Sequence, residues 1–167
     1  LELRVAQSFY RWAVEQGYVR SSPFREVKPV GRINVGKPQL RIEEARRFTQ
    51  AAVSYFEERQ HPLAIGALLA LTMGLRTGEV LDRVVRDLDD GARYLWIDAG
   101  KTSNARRRLE VPEDIQPYLS QLAASKRPDE LLFGTSRKGG RHANQIMWEM
   151  VQRLCTRAGV PTVCTHS

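Results

Sequence analysis

The sequence predicts a mainly helical fold with a small antiparallel sheet inserted, an α+β arrangement, and three features carry that expectation. Apolar residues recur at helical spacing in five separate stretches. One stretch, "ARYLWIDA", instead alternates Tyr94, Trp96 and Asp98 with Leu95, Ile97 and Ala99, and "RRRLEVP" follows it after a polar "GKTSNA" turn, which reads as a β-hairpin. Finally, "SSPFREVKPVGRINVGKPQ" holds three prolines, two glycines, four cations and one acid without a sustained period. Such a stretch is stiffened by proline and held extended by its charge, as a linker is.

Taken in order, residues 3 to 16 set Leu3, Ala6, Phe9, Tyr10, Ala13 and Val14 on one helical stripe, with Gly17 as the stop. The second helix starts near Glu43. Glu43 and Glu44 suit the positive end of its dipole, Ala45, Phe48, Ala52 and Tyr55 form its buried face, and Arg41 is a poor N-cap. Pro62 opens the third, which is apolar nearly all round from Leu63 to Leu75 and is therefore expected to be enclosed by its neighbours, with Gly74 ending it. After the hairpin, Pro112, Glu113 and Asp114 open a helix bearing Ile115, Leu119 and Leu122. The last clear helix covers residues 143 to 158, with Ile146, Met147, Met150, Val151, Leu154, Cys155 and Ala158 in one stripe. Trp12, Trp96 and Trp148 read as core or interface aromatics.

A chain of 167 residues can bury one sizeable core and a smaller element beside it. Its net charge of +7 favours polyanionic partners, and the distribution sharpens the point. Residues 1 to 41 carry eight Lys or Arg against three Glu, and residues 101 to 112 carry four cations against Glu110 alone, whereas residues 76 to 100 hold four Arg against six acids. Two cysteines do not suggest a disulfide framework, and with no recognisable leader they fit a reducing cytoplasm. The longest near-apolar run, 13 residues, falls short of the ~20 that span a bilayer, so no membrane partner is expected. His142, Cys155, Cys164 and His166 match no common zinc spacing, and no metal is expected.

The chemistry-bearing residues begin with "LTMGLRTGEVL". Arg76 and Glu79 stand three residues apart and share a face if a helix restarts at Thr77, so the carboxylate can orient the guanidinium. An arginine held in that way presents its fork to a phosphate, though the same pair also reads as an ordinary salt bridge capping a buried helix. Lys101 falls at the predicted hairpin tip, where an ammonium can reach a groove and donate a proton or simply stay solvated. His166 follows a proline-marked break near the C-terminal end, where it reads as a cap, a core partner or a proton-transfer group.

Together these stretches resemble the catalytic domain of the tyrosine recombinases, the phage integrase family. "LALTMGLRTGEVL" is similar to the family's first box, "GKTSNARRRLEVP" to its β-hairpin with the catalytic lysine, and "AGVPTVCTHS" to the opening of the second box, His-x-x-Arg. "FYRWAVEQGYVRSSPFREV" resembles the end of the N-terminal core-binding domain. The resemblance implies that residues 1 to 27 end a SAM-like helical core-binding domain, 28 to 41 form the interdomain linker, and 42 to 167 form a catalytic domain. That domain is expected to be truncated before the second arginine and the nucleophilic tyrosine, which the family places beyond the position of Ser167. Tyr10, Tyr18, Tyr55, Tyr94 and Tyr118 all precede His166.

By the same resemblance, the intact protein is a site-specific recombinase or integrase of a phage or other mobile element. It cuts and rejoins DNA through a 3′-phosphotyrosine without metal or other cofactor, as a homotetramer on double-stranded DNA, while the excerpt alone is expected to be inactive. Arg76 would grip the nonbridging oxygens, Lys101 would protonate the leaving 5′-oxygen, His166 would assist at the phosphate, and Glu79 would orient Arg76 or its neighbours. DNA contacts are expected from Arg32, Lys37 and Arg41, from Arg106, Arg107 and Arg108, and from Lys138 and Arg141. The alternatives are a non-catalytic DNA-binding protein of recombinase ancestry and a type IB topoisomerase-like enzyme. A bacterial or phage-encoded cytoplasmic protein associated with the nucleoid is expected.

Overall fold

Among the described residues, the regular elements follow the order α1 (Glu2–Glu15), α2 (Ile42–Arg59), α3 (Pro62–Thr72), α4 (Thr77–Leu81), β1 (Tyr94–Ile97), β2 (Arg107–Glu110), α5 (Gln116–Ala123) and α6 (Arg141–Ala158), with a 3-10 turn at Val85–Asp87 between α4 and β1. The computed structural model describes residues 2–28, 39–97, 106–134 and 141–163, with only the backbone of Glu2, Arg141 and His142. The chain divides into two compact units, Leu1–Gly36 and Lys37–Ser167.

In the smaller unit, α1 runs into Gly17, whose φ of +74° lets the chain leave the helix. Gln7 then donates from Nε2 to the carbonyls of Phe24 (3.2 Å) and Val27 (3.1 Å), fastening the following turn to the helix. The predicted stripe is only partly inward: Ala13 is buried, but Phe9 and Val14 are exposed. A single helix and the turns that follow it offer too little partner surface to cover all six residues.

The larger unit is built around α3. Its residues Leu63 to Leu69 are all buried, because α2, α4, α5 and α6 pack on its different sides. The enclosure predicted from Leu63 to Leu75 thus holds as far as Leu69, beyond which Ala70, Leu71 and Met73 are only partly buried and Thr72 is exposed. Gly66 permits the closest of these approaches, since a Cβ there would stand 2.9 Å from Val80 Cγ1 on α4. Gly74, at φ +65°, ends α3 and turns the chain into α4 within a few residues. The helix α2 opens without a side-chain cap from Arg41; instead Glu44 reaches back and accepts the Arg41 backbone N–H at 2.7 Å. Of the α6 stripe predicted from Ile146 to Ala158, Met147, Met150, Val151, Leu154 and Cys155 are buried, with α2, α3 and α4 packed on this helix, and Ile146 and Ala158 are partly buried.

The strands β1 and β2 pair antiparallel in the register Tyr94 with Glu110, Leu95 with Leu109, Trp96 with Arg108 and Ile97 with Arg107. Cross-strand partners share a face, so Leu95, Ile97, Leu109 and Arg107 turn inward, while Tyr94, Trp96, Arg108 and Glu110 turn outward. The outer face carries a stacked cation, with Arg108 Cζ 4.4 Å from the Tyr94 ring centroid. Beyond the sheet, residues 126–132 are stitched to the 3-10 turn. Leu132 N–H donates to Arg83 O (2.8 Å) and Val85 N–H to Glu130 O (3.0 Å), and the Lys126 ammonium donates to Leu131 O (3.1 Å). Neither the 3-10 turn nor this stitching has a periodic signature in the sequence.

The core reading of the tryptophans needs correction. Trp12, Trp96 and Trp148 remain 48%, 37% and 42% exposed, so none lies in the core. Their positions are on outward faces of α1, β1 and α6, where an indole has one side toward solvent. Among the described residues no helix is long and apolar enough to cross a membrane.

Candidate active site

The site grows from the break between α3 and α4. Arg76 is the residue that precedes α4, with extended φ −69° and ψ 151°, and its backbone N–H is one of the donors a helix start leaves without an intrahelical partner. Glu79, at the third helical position, accepts it at Oε2, 2.9 Å away. The i, i+3 spacing read from the sequence therefore does produce a contact, but first through the backbone. The Arg76 guanidinium stands 3.6 Å from Glu79 Oε1, a charge contact longer than a hydrogen bond.

Glu79 belongs more closely to another arginine. Arg107 donates from Nη1 to Oε1 and from Nη2 to Oε2, each at 3.0 Å, a two-pronged fork between the hairpin and α4. Exposure separates the roles: the Glu79 side chain is 8% exposed, that of Arg107 32% and that of Arg76 67%. One buried carboxylate thus anchors a half-buried arginine while the neighbouring guanidinium projects into solvent.

Burial raises the pKa of Glu79, but the Arg107 fork, the Arg76 N–H and the charges of both arginines outweigh it, leaving the carboxyl below the usual 4.5. A depressed pKa means that folding favours the ionised form. The associated stability is fully present above the unfolded-state pKa and is lost as pH falls through the lower folded-state value. The urea midpoint of the chain is therefore expected to drop as pH is lowered from about 5 to about 3, and Glu79→Gln to flatten part of that slope. Equal slopes in the two proteins would show that Glu79 contributes nothing to it.

A second arginine ties α4 to the sheet. Arg83 is buried, donates from Nε to Glu79 O (2.8 Å) and from Nη1 to Trp96 O (2.7 Å), and meets Asp87 at 3.0 Å. Asp87 in turn accepts the Val84 N–H at 3.0 Å, so both charged groups are hydrogen-bonded inside the protein. Arg107 and Arg83 together fix the hairpin against the helix that follows Arg76. Sequence reasoning missed Arg83 and Asp87 even though "DRVVRD" carries their i, i+4 spacing. It also missed the partnership of Glu79 with Arg107, which spans 28 residues.

Of the residues expected to act in catalysis, the structure brings Arg76 and Glu79 together; Lys101 and His166 lie outside the described residues. Among the expected DNA contacts, Arg107 is held by Glu79, Arg108 lies over Tyr94 on the outer hairpin face, Arg106 precedes β2 on the surface, and Arg41 precedes α2. Arg32, Lys37 and Lys138 are outside the described residues, and Arg141 is described only as the first backbone position of α6.

Arg76, set beside a buried carboxylate and an antiparallel hairpin just after an enclosed helix, stands in a fold similar to that of a solved recombinase. The chain is similar to a crystal structure of XerA recombinase, with a TM-score of 0.59 over 98% of its length at 18% sequence identity. It spans 56% of the length of that recombinase chain. No protein-family model and no curated protein sequence matches it.

Proposed function

We propose that the chain is part of a site-specific DNA recombinase that breaks and rejoins DNA strands through a 3′-phosphotyrosine. The observation that carries this reading is the geometry of Arg76. Its guanidinium is solvent-facing yet stands on a backbone whose N–H is capped by a buried carboxylate, and the enclosed α3 helix precedes it. Metal-free stabilisation of charge on a pentacoordinate phosphorus requires cations positioned in advance, within roughly 0.5 Å of the productive geometry. Glu79 contributes to that positioning by fixing the main chain from which the Arg76 side chain starts and by setting a carboxylate 3.6 Å from its guanidinium.

In this reading Arg76 binds the nonbridging oxygens, Lys101 donates a proton to the leaving 5′-oxygen, and His166 donates a hydrogen bond or moves a proton at the phosphate. The reading requires a nucleophilic tyrosine and a second arginine in addition to these three residues. The exposed Arg106 and Arg108, with Arg32, Lys37, Arg41, Lys138 and Arg141, supply backbone contacts to double-stranded DNA, on which four copies assemble.

The test uses the parent polypeptide on a duplex carrying its crossover site. Lys101→Ala is expected to slow cleavage of an ordinary phosphodiester by about 10²-fold or more and to recover on a 5′-thio leaving group, which needs little protonation. A covalent protein–DNA product with the wild type, together with that rescue, supports the recombinase reading. Binding without any covalent product would instead identify a DNA-binding protein of recombinase ancestry, and relaxation of supercoiled DNA without site preference a topoisomerase-like enzyme.

A further inference from the structure

Arg107 occupies a position that its surroundings in the sequence disguise. It sits in a row of three arginines, all of which read as phosphate contacts, but the hairpin register puts it opposite Ile97 on the inward face. An inward guanidinium needs an acceptor, and both of its Nη groups find one in the carboxylate of Glu79. Arg108, one residue on, faces outward and stacks on Tyr94. Adjacent arginines therefore have different tasks because a strand alternates its faces.

The same carboxylate lies 3.6 Å from the Arg76 guanidinium. Two cations thus face one buried anion, and the nearer and better-aligned of them is Arg107. With Arg107 in place, both Glu79 oxygens are occupied by its fork and Arg76 remains mostly in solvent. With Arg107 absent, Glu79 is a buried carboxylate that still has the Arg76 guanidinium 3.6 Å from Oε1, and the arginine side chain can close that gap.

We infer that Arg107 is a positioning residue: by satisfying Glu79, it keeps Arg76 directed outward, where a DNA phosphate can be gripped. The inference rests on the recombinase reading. It also gives the hairpin a task of its own, since β2 begins with the residue that holds Glu79.

The deciding experiment compares Arg107→Ala and Arg107→Lys with the wild-type parent polypeptide on its crossover-site duplex. It measures single-turnover cleavage at saturating protein and, separately, Kd as a function of salt. Arg107→Ala is expected to lower the cleavage rate constant at least tenfold, while Kd stays within about twofold and the slope of log Kd against log salt is unchanged. Arg107→Lys, which keeps a charge on Glu79 but loses the fork, is expected to fall between the two and provides the same readout if the alanine variant does not fold. Unfolding that exchanges slowly lowers the amplitude of a single turnover and leaves its rate constant unaltered, and recovery of Arg107→Ala on a 5′-thio leaving group, which would trace the loss to a displaced Lys101, overturns the inference. Wild-type cleavage rates in the variants overturn the inference alone. So does a weaker Kd with a salt slope reduced by about one, which would make Arg107 a phosphate contact. A wild-type protein that binds DNA and never cuts it overturns the inference and the recombinase reading together.

Discussion

Replacing Arg76 with alanine in the parent polypeptide is expected to slow strand cleavage by about 10²–10³-fold, the usual consequence of deleting one preorganised donor to a developing anion. Stability should barely move. The Arg76 side chain is mostly exposed, and the interaction that starts α4 is made by its backbone N–H, which alanine retains. A change within ±0.5 kcal/mol is therefore expected in denaturant titrations, as for other surface substitutions. Binding should weaken by the loss of at most one phosphate contact, seen as a salt slope smaller by about one. The combination of a large rate effect and an almost unaltered fold distinguishes a group that acts on the phosphate from one that supports the architecture. Cleavage within threefold of wild type would remove Arg76 from the chemistry.

Arg83→Ala should do the opposite, destabilising the larger unit by about 3–5 kcal/mol through the loss of one partner from a buried ion pair. Three acceptors each lose a donor at once: the carboxylate of Asp87, which keeps the Val84 N–H, and the carbonyls of Glu79 and Trp96. The Asp87 side chain is 7% exposed, so water cannot readily replace the guanidinium. Urea unfolding of the 167-residue chain followed by circular dichroism reads this directly, as a lower midpoint at constant slope. A loss under about 1 kcal/mol would mean that the site relaxes to admit water and that the pair is dispensable.

These two arginines, seven residues apart in the chain, show how far the sequence reading reaches. Local order was legible. The uniform apolarity of Leu63 to Leu69, the α6 stripe, the stop at Gly74 and the alternation of Tyr94 to Ile97 each depend on neighbours within a turn or two along the same segment, and each is found in the structure. Helical spacing also brought Arg76 and Glu79 together correctly. It could not say which atoms would meet, because an extended Arg76 offers its backbone N–H to the carboxylate before its side chain does. On α1 the periodicity was right while the burial of Phe9 and Val14 was not, since a stripe shows what can be covered and not how much partner surface is present.

Arg107 marks the boundary most clearly. Its charge, its place in a basic row and even its inward parity can be worked out along the strand, because alternation is a local rule. Its partnership with Glu79 depends on two segments 28 residues apart arriving on the same side of α4. That convergence is produced by helix packing around α3 and by the register of the hairpin, neither of which is encoded in any short window. The amino-acid order therefore specified the main helices and the paired strands, and marked Arg76 and Glu79 as neighbours. Folding in three dimensions chose which arginine is held by the buried carboxylate and which is left facing solvent, because a single carboxylate can be forked by only one of them.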